Sequence, residues 1–450
     1  MKKIFTLALG LIFAYSATAQ QLVEPCSFDP IFKQQIQNEP GFIEHIKNLD
    51  NQIYQLVEKA KKDNSHKAGT ILKIPIVFHI IHRGTAEGVA ENISVAQVES
   101  AVRGMNVFYR NNKNWPNTPV NPFSPNSVDL EIEFCLAQRD PNGLPTNGIT
   151  RVDGAKYPFY QDQGWINQGQ ANSNEVEIIN DQGWNKNKYY NVFVVAEINN
   201  QGGGGSGNVG NANFPPSGST PSATNDRTVV IWKSTGYCGT GDPCPFKNTS
   251  LVAPYDNGTM NHEMGHAFSL YHTFHDKDPN DLSEQGGGTG QPVASCNNAN
   301  ETAANCATSG DRCCDTQRHL GNLGTCPTGK TNECIGAPYD VFTANNCMNY
   351  TNCQPLLFTA GQRDRIKAAF STNTVRINLT NSDGCNSVFA YDLGINTISQ
   401  PSGFYCDVNV SGKIGVKNYG ANTITSATFD ILVDNVSVTT YLDRNPGSKL

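Results

Sequence analysis

The sequence predicts an α/β fold of the α+β kind, a twisted mixed sheet with helices packed on it. Three observations carry this expectation: a β-branched apolar run at 71–81, an amphipathic helical pattern after it, and further short strand-like runs ahead of a histidine-bearing helix. The run at 71–81 holds Ile74, Ile76, Val77, Phe78 and Ile80, the make-up of a buried strand. Ser94 is placed to cap a helix carrying Val95, Val98, Val102, Met105 and Phe108 at spacings of three and four. Strands are expected at 130–135, 189–198 and 228–232. Between the last two lies Gly202–Gly205, which reads equally as a flexible loop or as the rim of a cleft. Upstream, residues 20–66 are rich in Gln, Asn and Lys, with one helix expected from Pro40 through Lys61. A short helix is expected from Thr359, with Ile366 and Phe370 on one side. From about Val375 the pattern changes to short alternating segments at 408–410, 414–416, 424–429 and 436–441, bounded by Gly, Asn and Ser. They suggest an immunoglobulin-like β-sandwich, and because such a sandwich takes about seven strands the segment reads as possibly incomplete.

The first residues have the form of an export signal. Lys2 and Lys3 precede an apolar stretch from Ile4 to Ala14, and Ala17-Thr18-Ala19 offers a cleavage site before Gln20. The apolar stretch is too short to span a bilayer comfortably, and no later run has membrane length. The net charge of −7 and pI near 5.7 give no support for nucleic-acid binding. Of the 14 cysteines, eight lie between Cys296 and Cys353. No repeated Cys-x₂-Cys pairs mark a structural metal site, so the stretch is expected to be stapled by disulfides, as exported chains with little local core are.

Chemistry concentrates at His262-Glu263-Met264-Gly265-His266, with a further histidine at His272. Residues four apart share one face of a helix, so His262 and His266 can present two imidazoles to one Zn²⁺. His272 would complete three ligands and leave an open position, and Glu263 sits where a carboxylate could take a proton from water. Thr259 and Asn261 are candidate caps of this helix, with Met264, Phe268 and Leu270 as its buried stripe. By itself such a motif also arises as ordinary core or surface histidines.

Joined to CMNYTNC at 347–353 and FTAGQRDRI at 358–366, the HEMGHAFSLYHTF segment at 262–274 resembles the pappalysin family of metzincin zinc endopeptidases, in its secreted bacterial branch, the cytophagalysins. Further matches are IPIVFHI at 74–80, EFCLAQRDPNGLPTNGITR at 133–151 and GDRCCDT at 310–316. The resemblance covers roughly residues 70–370 and, more weakly, the segment before them. It implies a metzincin-like zinc peptidase with His262, His266 and His272 as ligands and Glu263 as general base. Met348 matches the methionine of the Met-turn, and Tyr350 a tyrosine that can stabilise the tetrahedral intermediate; without the resemblance, both read as packing residues. With the export signal at 1–19 and the β-rich immunoglobulin-like segment at 374–450 read above, the resemblance gives a propeptide at 20–66 and a catalytic domain at 67–373. It also implies a Cys326–Cys353 disulfide and pairs Cys334 with an upstream cysteine such as Cys296.

Three positions stay open. Ser269 departs from the family's usual glycine at a sharp turn; there, serine at positive φ would cost about 1–2 kcal/mol. If His272 failed to reach the metal, His275, Asp276 or Asp278 would be the substitutes. Cys26 is either a propeptide thiolate that closes the zinc site or half of a disulfide. Asp276, Asp278, Asn280 and Asp281 offer oxygen ligands for Ca²⁺ and equally read as a solvated loop. The expected activity is hydrolysis of protein or peptide substrates outside the cytoplasm, with the segment between His272 and Met348 building the pocket beyond the cut bond. The alternative is a catalytically idle secreted binding or adhesion protein, touching a cell surface or matrix through its C-terminal segment.

Overall fold

A computed structural model describes residues 26–63, 70–111, 126–201, 207–216, 226–236, 258–275, 305–321, 324–353, 355–400, 413–418, 420, 422–433 and 436–443. The expected signal sequence, the Gly202–Gly205 segment and the calcium candidates Asp276 to Asp281 lie outside the described residues.

Two helices come first, α1 (Phe28–Asn38) and α2 (Phe42–Lys62), followed by strand β1 (Leu72–His82) and helix α3 (Val95–Tyr109). Strands β2 (Ile132–Leu136) and β3 (Ile149–Asp153), short helix α4 (Tyr160–Gln163) and helix α5 (Glu175–Gln182) lead to β4 (Tyr190–Val195), β5 (Gly210–Ala212) and β6 (Arg227–Ile231). The histidine helix is α6 (Gly258–Ala267). After it come the two-residue strands β7 (Thr331–Asn332) and β8 (Ala337–Pro338), then α7 (Val341–Ala344), α8 (Ala360–Thr372) and α9 (Thr374–Thr380). Four C-terminal strands are β9 (Leu393–Gln400), β10 (Lys413–Asn418), β11 (Ala427–Val433) and β12 (Val436–Asp443). They pair antiparallel as β9 with β10 and β11 with β12; the expected strand at 408–410 lies outside the described residues.

The six-stranded sheet runs β2-β1-β4-β6-β5, with β3 also on β1. All its pairings are parallel except β5 on β6, so the sheet is mixed, with an antiparallel strand at one edge. β1 is buried on both faces, as a parallel strand covered on two sides must be. Ile74, Ile76, Phe78 and Ile80 face a core shared with α3, α6 and Met348, while Ile81 faces a second core with Trp165, Phe193 and Ile231. Ser94 caps α3 by accepting from the Gln97 amide at 3.2 Å. Thr359 opens α8 with a full capping box, its hydroxyl accepting from the Gln362 amide while the Gln362 side chain accepts from the Thr359 amide.

Several expectations are corrected. Thr259 and Asn261 lie inside α6 and do not cap it. The N-terminal segment holds two helices where one was expected: Pro40 falls in the turn between them, and Gly41, at φ 81°, starts the second. α1 forms because Phe28 and Phe32, one turn apart, bury together against Phe214. Cys26 is a free thiol with no disulfide partner. The Cys326–Cys353 disulfide is present, and two further bonds join Cys306 to Cys314 and Cys135 to Cys385. Cys334 is disulfide-bonded, and its expected partner Cys296 lies outside the described residues.

Candidate metal centre and active site

α6 is buried along its whole second half, which brings His262 and His266 to one side of a helix pressed on the sheet. The helix ends at Ala267, and Ser269, at φ 76°, turns the chain so that His272 returns to the same point. The three Nε2 atoms lie 3.1–3.2 Å from one another. The substitutes are therefore not needed: His272 reaches, while His275 stacks on Tyr271 at 4.3 Å.

The other ring nitrogens show why the cluster suits a cation. His262 Nδ1 lies 2.7 Å from the Cys347 carbonyl oxygen, His266 Nδ1 2.8 Å from that of Leu270, and His272 Nδ1 2.9 Å from an Asp29 carboxylate oxygen. Each partner only accepts, so each Nδ1 carries the proton and donates, and the three Nε2 atoms meet as bare lone pairs. Lone pairs at that spacing repel unless a cation lies between them; nitrogens at 2.0–2.1 Å from a tetrahedral Zn²⁺ would stand about 3.3 Å apart. Burial, then neighbouring imidazoles, push His262 down to about 3 and hold His266 well below its usual range, so both rings stay neutral and ligand-competent. The Cys26 Sγ joins the three nitrogens, all four atoms lying within 4.8 Å of one another.

Glu263 is fully buried beside this group. Its Oε2 accepts from the Cys26 thiol at 3.4 Å, and its Oε1 has no hydrogen-bond partner among the described residues. Burial pushes its carboxyl up to about 8, and burial likewise raises the Cys26 thiol well above its usual value. Tyr350 is placed on the other side, its ring 4.7 Å from that of His272, with its hydroxyl donating to the Cys26 carbonyl at 3.1 Å.

Two glycines make these approaches possible. A Cβ on Gly265 would lie 2.3 Å from the Met348 sulfur, so the residue before the second histidine of the motif has to be glycine for Met348 to pack beneath the helix. A Cβ on Gly210 would come within 2.8 Å of Glu263 Oε1, so edge strand β5 can pass this close only with glycine there.

The sequence reading missed how fully the N-terminal segment covers the centre. Cys26 pairs with Gly210 of β5, and the Ser27 amide donates to the Gly210 carbonyl at 3.1 Å. Phe28 stacks on His266 with ring centres 3.9 Å apart, and Asp29 supplies the carboxylate on His272. The spacing of Phe28 and Phe32 was the available signal for α1; nothing in sequence points Asp29 at a histidine 243 positions away. Part of the stretch expected to form the substrate pocket, 276–304 and 322–323, lies outside the described residues.

Ser269 bears a cost twice over. It holds positive φ, and its buried hydroxyl has no hydrogen-bond partner among the described residues. Removing both terms and subtracting glycine's greater chain entropy, Ser269→Gly is expected to stabilise the protein by about 1 kcal/mol. Urea unfolding of the two proteins checks this, and a destabilised variant would mean that the hydroxyl is satisfied.

Comparison with known proteins agrees with this geometry. Residues 172–371 match the peptidase family described as pregnancy-associated plasma protein-A. A mutant of promirolysin from Tannerella forsythia is 27% identical, with a TM-score of 0.52, covering 80% of this chain and 97% of its own. Mature mirolysin from the same organism, solved with a cleaved peptide, is 28% identical with a TM-score of 0.47, covering 70% of this chain and 97% of its own. Comparison with curated protein sequences gives no match. Fold and matches together define the class, a metallopeptidase of metzincin fold. Within that class the matches support a pappalysin-like metzincin, a metalloendopeptidase.

Proposed function

We propose that the chain is an exported, zinc-dependent endopeptidase made as a latent precursor, with residues 20–66 as its prosegment. The observation that carries this is the convergence of three Nε2 lone pairs and one thiol on a single point beside a buried carboxylate. His262, His266 and His272 hold the metal, and the donor set of nitrogens plus a soft sulfur favours zinc over the oxygen-seeking cations. Zinc bound there supplies a Lewis acid that polarises a peptide carbonyl and acidifies water.

The rest is the work of side chains. Cys26 fills the fourth position and excludes water until the prosegment leaves. Once it has gone, Glu263 takes a proton from the attacking water and hands it to the departing amine. Tyr350, which now donates to the Cys26 carbonyl, is then free to donate to the substrate's carbonyl oxygen as that oxygen gains charge. Met348 supports the centre from below. Export is supported by the form of residues 1–19 and by the disulfides; no helix among the described residues is long and apolar enough to cross a membrane.

Peptide hydrolysis by the prosegment-free enzyme should be abolished by a chelator and restored by stoichiometric zinc. Hydrolysis that persists in the metal-stripped protein would refute the reading.

A further inference from the structure

Away from the metal, α2 places a carboxylate among buried cations. Asp50 forms an ion pair with Arg312, its carboxylate 2.9 Å from Nε, and accepts from the Tyr271 hydroxyl at 3.0 Å and from the Arg365 guanidinium. Arg312 and Arg365 side chains are only 5% and 3% exposed, and both guanidiniums lie over the Tyr271 ring, at 4.5 and 5.0 Å from its centre. Arg312 is itself held at φ 63°, a conformation that arginine adopts at a cost. Two buried cations this close need an anion, and in the described residues Asp50 supplies it. Burial opposes its ionisation, yet the two arginines hold its carboxyl below the usual value.

The site is wired to the turn that delivers His272. Arg365 Nε donates to the Ser269 carbonyl at 2.7 Å, and Tyr271 immediately precedes His272. Beside Asp50, the preceding Leu49 and Ile53 one turn further on lay the same helix on Ala368 and Ala369 of α8. Nothing in this arrangement involves Cys26.

We propose that Arg312, Arg365 and Tyr271 form a carboxylate-binding site, filled by Asp50, that anchors α2 as a second latch independent of Cys26. Its ligand class is a carboxylate carried on an amphipathic helix. The proposal rests on the prosegment reading, but activity of the intact chain tests that reading, whereas the latch is tested by local opening.

The experiment is hydrogen–deuterium exchange on the full chain in a Glu263→Gln background, which keeps it uncleaved. Asp50→Asn should speed exchange of the amides in 42–62 by about tenfold or more, because breaking one partner of a buried ion pair leaves the cations uncompensated. Asp50→Glu, which keeps the carboxylate, should restore most of the protection, and Cys26→Ala should leave 42–62 within about twofold of the parent while loosening 26–38. Unchanged exchange in Asp50→Asn would overturn the latch. So would an increase spread through β1 and β4, since Asp50 would then serve the whole fold.

Discussion

Glu263→Gln is expected to lower peptide hydrolysis by the prosegment-free enzyme about 10²- to 10⁴-fold, the range that a positioned acid–base group contributes. The amide has nearly the same shape, so it fits against Gly210 where the carboxylate does, and His262 and His266 keep their Nδ1 acceptors, the Cys347 and Leu270 carbonyls. Metal content should therefore equal that of the parent, and the unfolding midpoint should not fall. What is lost is the capacity to take a proton, because an amide has no basic oxygen at neutral pH. Initial rates on an internally quenched peptide, with zinc measured on the same sample, check this. Turnover within about threefold of the parent would remove Glu263 from the role of base.

Cys26→Ala in the intact chain is expected to act in the opposite direction. The parent should be close to inert if Cys26 closes the metal site as proposed, and the segment around it blocks the edge of β5. Removing the sulfur takes away one contact and leaves others. Phe28 stays stacked on His266, Asp29 stays on His272, and the Tyr350 bond goes to the backbone carbonyl, which alanine keeps. Peptide hydrolysis by the uncleaved variant should thus rise about tenfold or more, the consequence of weakening the closed state by only ~1.4 kcal/mol, yet stay below that of the prosegment-free enzyme. An intact parent as active as the variant would end the latency account.

The parts of the molecule legible in sequence are those with local, periodic causes. The β-branched run at 74–80 gives β1, the three-and-four spacing after Ser94 gives α3, and the Thr359–Gln362 pair gives the start of α8. The spacing of His262 and His266 fixes two donors by helix geometry alone. Ser269 is instructive because its strain was readable from a missing glycine, and the backbone does take positive φ there.

What stayed hidden depends on pairings across long stretches of chain. β5 is three residues, Gly210–Ala212, with no hydrophobic signature, and its role follows only from its place beside Glu263. Asp226 and Arg376 are both fully buried and meet 150 positions apart, where Arg376 also holds the Ala267 carbonyl at the end of α6. Such a pair adds nothing to periodicity in either segment, so no window of sequence reports it. The same holds for Asp29 on His272, which reads in sequence as one more polar residue of a helix start.

The proposed centre is a metal held by three imidazoles and closed by one thiol. X-ray absorption at the zinc edge of the intact, zinc-loaded chain measures that set directly. It should show nitrogen scatterers at about 2.0–2.1 Å and one sulfur at about 2.3 Å, the sulfur vanishing in Cys26→Ala. A first shell of nitrogen and oxygen alone in the intact parent would contradict it.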